Sequence, residues 1–287
     1  MFGRKLFFLL SFLGLIVFFL WYQNNHLTLS TYEFSADLAP LTESEESKIK
    51  IKTASADSFS LVHLSDLHNK SFGTDNKKLL EKIEKLNPDL VLITGDIIDS
   101  QRVGSDQALH LIEGLKEKTP VYFVPGNHER WSGSYPALKA KLRLAGAIIL
   151  ENEVVLLENQ EGKKILLAGI DDPDFSDLEK WQNNLNDLSA KAKNYFTVLL
   201  SHRPERFEDY IAGAFDLTLA GHAHGGQWRL PFIGGLVAPN QGLLPKYDAG
   251  LYQKVTSAML VSRGLGNSLM PLRLFNLPEI ISIKINF

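Results

Sequence analysis

Hydrophobic and polar positions along this chain fall into two regimes. Residues 6–22, from Leu6 to Tyr22, form an uncharged apolar run behind Arg4 and Lys5. From about residue 57 onward the apolar runs shorten to four to six residues, and each stops abruptly at a polar segment. Phe59–Leu64 leads into Ser65-Asp66-Leu67-His68, Asp89–Thr94 into Gly95-Asp96-Ile97-Ile98-Asp99, and Val121–Val124 into Pro125-Gly126-Asn127-His128-Glu129. Phe196–Leu200 leads into Ser201-His202-Arg203-Pro204, and Phe215–Ala220 into Gly221-His222-Ala223-His224. Short apolar runs bounded by turn residues predict buried strands, and the helical periodicity of 76–87, 105–117, 134–145 and 176–192 predicts helices between them.

The first run has 17 residues, the short end of the roughly 17–25 helical residues that cross a hydrocarbon core. It reads as an uncleaved transmembrane anchor at 6–22 with residues 1–5 in the cytoplasm, because Gln23-Asn24-Asn25-His26 follows rather than a small-residue cleavage site. Trp21 and Tyr22 suit an interfacial aromatic anchor. A cleaved secretory signal and a buried core helix are the competing readings. The positive-inside tendency of Arg4 and Lys5 then places the rest of the chain outside the cytoplasm, as a single-pass membrane protein. Residues 23–56 read as a tether with peripheral strands: strand-like pieces at 27–34 and 48–53 flank the polar stretch Thr42–Lys48, a hairpin or a tether whose acidic tip lies in water.

Charge narrows the function classes. The whole chain carries −3, and its first 32 residues hold only Arg4 and Lys5, so the remainder carries −5. A net-acidic domain argues against non-specific nucleic-acid binding. With no cysteine, any metal must be held by imidazole, carboxylate or amide oxygen.

Open α/β sheets place their chemistry outside the carboxyl ends of their strands. Five of the eight histidines (His68, His128, His202, His222, His224) stand at those exits, together with Asp66, Asp96 and Asn127. A lone histidine is more often structural than a ligand; five beside two aspartates and an asparagine point to a metal site. Such ligands suit Mn²⁺, Zn²⁺ or Fe²⁺.

These segments, in this order, resemble the calcineurin-like metallophosphoesterases, whose pattern runs D-x-H, G-D-x-x-D, G-N-H-E/D, a lone H and G-H-x-H. The resemblance covers residues 57–287. It implies a four-layer α/β/β/α sandwich of two mixed sheets, preceded here by the single N-terminal transmembrane helix, and hydrolysis of phosphoester or phosphoanhydride bonds with two divalent metal ions. Carried over by position, Asp66, His68 and His224 hold one ion; Asn127, His202 and His222 hold the other; Asp96 bridges them. His128 is the catalytic general acid. Asp99 braces the loop or caps a helix, and Glu129 orients His128 or is a solvated turn residue. Two divalent ions against the two carboxylates leave a centre of about +2, which attracts phosphate. An inactive metal-binding scaffold would show eroded ligands, and all seven plus His128 are present.

Other polar residues carry weaker expectations. Asp171 and Asp172 follow the apolar run Ile165–Ile170, with a structural or outer role. His63 in a strand, His26 beside the anchor and His110 in a helix read as uninvolved. Arg203, Arg263 and Arg273 are either contacts for a substrate phosphate or structural. The loop Gly225–Pro245 is rich in glycine and proline yet contains Trp228, Phe232, Ile233, Leu236, Val237, Leu243 and Leu244. It reads as a self-packed loop or as an apolar lip for a lipid-bearing phosphoester. The loop, with G-H-A-H-G-G-Q and the late S-R-G-L-G, is most similar to the membrane-associated bacterial branch of the family. That branch implies UDP-2,3-diacylglucosamine, a pyrophosphate-bonded lipid A precursor, as a candidate substrate, although that nucleotide lipid is cytoplasmic. A secreted phosphomonoesterase or protein phosphatase is the alternative.

Overall fold

The structure is a computed structural model that describes residues 2–36, 48–51, 53–102, 104–192, 194–254, 256–268 and 270–287. Two sheets form its centre. The first runs in the order Thr28–Ser35, Glu279–Asn286, Ser58–Leu64, Leu90–Thr94, Val121–Val124, Ala147–Ile149. The second runs Gly250–Lys254, Ser257–Val261, Leu217–Ala220, Phe196–Leu200, Lys164–Gly169, Glu153–Glu158, Lys48–Lys50. Both are mixed: 279–286 pairs antiparallel with 58–64, and 153–158 antiparallel with 164–169, while the site-bearing strands run parallel to their neighbours from 58–64 through 121–124 and from 196–200 to 217–220.

Alternation along each strand explains the layering. On 58–64 and its neighbours, Phe59, Leu61, Leu90, Leu92, Tyr122 and Val124 face Ile165, Leu167, Val198, Leu200, Leu217 and Leu219 of the other sheet. The intervening residues Val62, Leu64, Val91, Ile93, Val121 and Phe123 point the other way, onto Leu79, Ile83, Leu111, Leu115, Leu138 and Leu142 of the helices Lys77–Leu86, Asp106–Lys116 and Tyr135–Ala145. The second sheet likewise turns Leu166, Ala168 and Leu199 onto Trp181, Leu185 and Leu188 of Leu178–Ala192. A strand buried on both faces must be apolar at every position, which is why these strands read as unbroken runs. The result is the expected α/β/β/α order of layers, with an apolar helix, Phe2–Asn25, ahead of it.

Of the two readings of 23–56, the hairpin does not form. Thr28–Ser35 lies in register with Glu279–Asn286 as a parallel edge strand of the first sheet, whereas Lys48–Lys50 pairs with Leu156–Glu158 in the second. The two pieces belong to different sheets because each finds a backbone edge far away in sequence. The acidic tip at 42–47 lies outside the described residues.

Candidate metal centre

The strands 58–64, 90–94 and 121–124 of one sheet and 196–200 and 217–220 of the other end on the same side, and their following loops meet. Asp66, His68 and His224 present ligand atoms within 4.8 Å of one another, and so do Asp96, His202 and His222. The groups adjoin: His68 Nε2 lies 3.0 Å from His224 Nε2 and 3.6 Å from Asp96 Oδ2, and His202 Nε2 lies 3.2 Å from Asp96 Oδ2. Asp96 thus stands between the groups. Asn127 begins the short helix Asn127–Trp131, and its Oδ1 is buried without a hydrogen-bond partner. None of the seven residues is more than 3% exposed.

The loops are tightly specified. Asp66, His68, Asp96, His222 and His224 all adopt left-handed backbone, with φ between 48° and 64°. Non-glycine residues rarely do so, and clusters of them mark functional sites held by their surroundings. The glycines of the motifs admit this closeness. A Cβ on Gly126 would stand 2.4 Å from Asp96 Oδ1, and one on Gly221 would stand 1.9 Å from Ser65 Oγ. Asp66 accepts the His222 N–H at 3.1 Å and Asp96 Oδ1 accepts the His128 N–H at 2.8 Å, so the carboxylates also tie the loops together.

Charge balance shows what the pocket is built to hold. Burial pushes His68 down to about 3 and also holds His222 and His224 well below the ordinary histidine range, keeping these rings in the neutral, ligating form. His202 behaves oppositely. Burial opposes its charge, but Asp96 and then Asp66 outweigh that and push it up to about 10. Its Nδ1 donates to the Thr94 carbonyl at 2.6 Å, so the nitrogen aimed at Asp96 is Nε2. A cation is what these carboxylates, imidazole lone pairs and the unpaired Asn127 oxygen have in common as a missing partner, and the residues fit a divalent metal.

His128 sits beside this pocket with its ring 4.5 Å from that of His68. Its Nδ1 accepts the Ser100 N–H at 3.0 Å, so the neutral ring carries its proton on Nε2. His68, Asp99 and His128 form a third close group, but the Ser100 N–H already uses the His128 Nδ1 lone pair. Asp99 caps no helix. It lies 3.6 Å from His128 Nδ1 and accepts the Gln101 N–H at 2.9 Å, bracing the loop.

Glu129 is neither solvated nor aimed at His128. Fully buried, it accepts the backbone N–H groups of Asp96 and Gly126, each at 2.7 Å, and of Ile98 at 3.2 Å, clamping two motif loops to each other. Of its two readings, Arg203 takes the structural one. It is 3% exposed, forms a two-point pair with Asp172 at 2.5 and 2.8 Å, and reaches Asn240 Oδ1 at 2.9 Å. That oxygen also lies 2.9 Å from His222 Nε2, and the Arg203 guanidinium stands 3.1 Å from the same nitrogen, so both side chains hold the His222 ring in place. Asn240 has no sequence signal, since only the return of the 225–245 loop brings it to His222. Asn276 is similar, donating to the His224 carbonyl at 2.7 Å. Arg273 donates to the carbonyls of Arg263 and Gly266, and Arg263 faces Glu279, so both serve the fold. His63 is buried against Thr94 Oγ1 at 2.8 Å, and His110 faces Asp75 at 3.1 Å, away from the pocket.

Asp171 lies outside the pocket, bonded to Asn152 at 2.9 Å. Burial, then Glu151, pushes it up to about 7. A carboxyl raised above its unfolded value contributes most stability below that unfolded value, near 4, and loses it as pH climbs through 7. Asp171→Asn is therefore expected to leave stability at pH 4 nearly unchanged and to raise it at pH 8 by on the order of 2 kcal/mol, about half the full linkage because the group keeps some water. Denaturant melts at both pH values check this, and a variant equally or less stable at pH 8 refutes it.

The profile of the calcineurin-like phosphoesterases matches residues 59–226, more than half of the chain and the stretch that holds every residue of the pocket. The chain belongs to the calcineurin-like phosphoesterase family. Among its relatives, a Bacillus subtilis protein named uncharacterized metallophosphoesterase YkuE is 31% identical over 233 residues, covering 78% of each chain. The Escherichia coli phosphodiesterase YaeI is 28% identical, over 79% of this chain and 82% of its own. A Bos taurus transmembrane protein with metallophosphoesterase domain is 29% identical, over 80% of this chain and 53% of its own. As a calcineurin-like phosphoesterase, the protein is a metal-dependent hydrolase of phosphoester bonds.

Proposed function

We propose that the protein is a membrane-anchored, dinuclear phosphoesterase that cleaves phosphodiester or pyrophosphate bonds, with a lipid-linked phosphoester as its substrate. The observation that carries this reading is the convergence of two buried groups, Asp66, His68 and His224 and Asp96, His202 and His222, with the Asn127 oxygen buried and unpartnered. Asp66, His68 and His224 would hold one ion and Asn127, His202 and His222 the other, with the Asp96 carboxylate shared between them. Manganese, zinc and iron all suit this donor set. Bound divalent ions supply Lewis acidity toward phosphoryl oxygens and acidify the attacking water. The protein does the rest. Asp66 and Asp96 limit the positive charge, Glu129 fixes the spacing of the loops, and His128 presents its Nε2 proton to the departing oxygen.

The diester preference draws on the relative named as a phosphodiesterase, and the membrane location on the helix Phe2–Asn25, 24 residues and about 36 Å long at 1.5 Å per residue, against a hydrocarbon core of about 30 Å. Arg4 and Lys5 favour an extracytoplasmic catalytic domain, where a lipid-linked pyrophosphate exposed on that face is the substrate class. UDP-2,3-diacylglucosamine shares the bond type and the acyl chains. With Mn²⁺, the purified full-length protein is expected to hydrolyse bis-p-nitrophenyl phosphate faster than p-nitrophenyl phosphate. Selective cleavage of the monoester would favour a phosphomonoesterase instead.

A further inference from the structure

The apolar helix does not leave the domain freely. Its last turn is built into the catalytic layers, with Gln23 and Asn24 buried. Asn24 Oδ1 accepts from Asn267 Nδ2 at 2.8 Å and from the Arg273 N–H at 3.2 Å, Gln23 Oε1 accepts the Asn276 N–H at 3.2 Å, and Lys70 donates to the Asn24 carbonyl. One turn earlier, the Phe19 ring meets Phe275 with centroids 5.6 Å apart. The helix therefore emerges at a fixed place, against segment 267–276.

A small hairpin stands on the same segment. Arg229–Leu230 pairs with Gly234–Gly235, the Arg229 N–H donates to the Leu274 carbonyl at 2.9 Å, and Trp228 Nε1 donates to the Leu272 carbonyl at 3.0 Å. At its tip Phe232 is completely exposed and held in left-handed backbone, φ 66°, and Ile233 is 61% exposed. With Leu230 and Phe275, half-exposed itself, they line one open concavity, to which Arg229 adds a basic edge. Contiguous exposed apolar surface of this kind marks an interaction site.

We propose that Leu230, Phe232, Ile233 and Phe275 form a second membrane contact, entering the acyl boundary of the same bilayer that the helix crosses. Continuity selects this partner, because Phe275 touches both the helix, at Phe19, and the hairpin concavity. Lipid that surrounds the helix down to Phe19 has reached the hairpin. Trp21, 57% exposed on the next turn, sits where an aromatic belt forms. The consequence for the site is orientation. The hairpin follows directly on His224, and Asn276, whose own N–H bonds Gln23, also holds the His224 carbonyl. A helix plus a rigid second contact prevents the domain from swinging on one pivot and holds its pocket at a set height above the headgroups. The proposal rests on the reading of the helix as a membrane anchor.

Because the sequence lacks cysteine, single cysteines report cleanly. Full-length Phe232→Cys, Phe12→Cys and Leu144→Cys variants, each labelled with an environment-sensitive fluorophore, are reconstituted into phosphatidylcholine–phosphatidylglycerol vesicles with and without acyl-brominated lipid. Phe232 and Leu144 are so exposed that labelling leaves the fold intact, and Leu144 lies on the outer helix Tyr135–Ala145. The proposal expects blue-shifted emission and loss of most fluorescence in brominated vesicles at 12 and 232, and neither at 144. Quenching at 12 without quenching at 232 overturns the second contact and leaves the anchor standing. No quenching at 12 overturns the anchor reading and the contact with it, and quenching at all three positions shows non-specific adsorption and overturns the contact.

Discussion

Asp96→Asn is expected to reduce kcat/KM by on the order of 10³-fold or more while the protein stays folded. Each tenfold loss corresponds to about 1.4 kcal/mol of transition-state stabilisation, so the change removes about 4 kcal/mol, in the range assigned to metal-centred charge stabilisation. Asp96 Oδ2 is 3.6 Å from His68 Nε2 and 3.2 Å from His202 Nε2, one from each triplet, so no other side chain can take its place between them. An amide keeps one oxygen, so the bond from the His128 N–H at 2.8 Å survives and the loop remains in place. What disappears is the charge facing both groups. Steady-state kinetics together with thermal melts separate the effects: activity within tenfold of wild type in a folded variant would show that Asp96 is not shared.

His128→Gln is expected to lower kcat by about 10²- to 10⁴-fold on substrates whose leaving group is an alkoxide, the range for loss of a positioned general acid. On p-nitrophenyl esters, whose leaving group is stable without a proton, the loss is expected to be much smaller. This contrast distinguishes proton donation from structural support. The Ser100 N–H bond fixes the His128 tautomer and leaves the proton on Nε2, where it can be donated. Equal losses on both substrate types would remove the general-acid role and leave His128 as a packing or electrostatic group.

The strands and their exits were readable because burial on both faces forces apolar residues at consecutive positions. Leu90–Thr94 and Phe196–Leu200 have no polar face to interrupt them, and the polar residues begin where the sheet ends. The layered architecture came from family resemblance joined to those runs. Pairings between distant segments were not readable. Thr28–Ser35 alternates like a hairpin strand, yet its partner is Glu279–Asn286, and nothing local in either segment names the other.

A similar distinction divides the site. Asp66, His68, Asp96, Asn127, His202, His222 and His224 announce themselves by residue type at a strand end, and Asp96, Asn127, His222 and His224 also adjoin a glycine. Their supports do not. Asn240 and Asn276 lie in loops rich in glycine and proline, and their amides become informative only when the chain folds back on His222 and His224. From sequence, Arg203 is open between a phosphate contact and a structural role, because an arginine beside a histidine motif suits either. Its partner Asp172, 31 residues away in sequence, absorbs the charge. Glu129 shows the same limit from the other side: the residue was placed correctly in the motif, but its three backbone partners come from two loops and could not be assigned from its neighbours in sequence.

Anomalous diffraction from crystals grown with Mn²⁺ tests the central claim most directly. The account predicts two peaks, one among Asp66, His68 and His224 and one among Asn127, His202 and His222, with the Asp96 carboxylate in contact with both. A single peak, or strong peaks only at surface carboxylates while these seven side chains hold no metal, would contradict it.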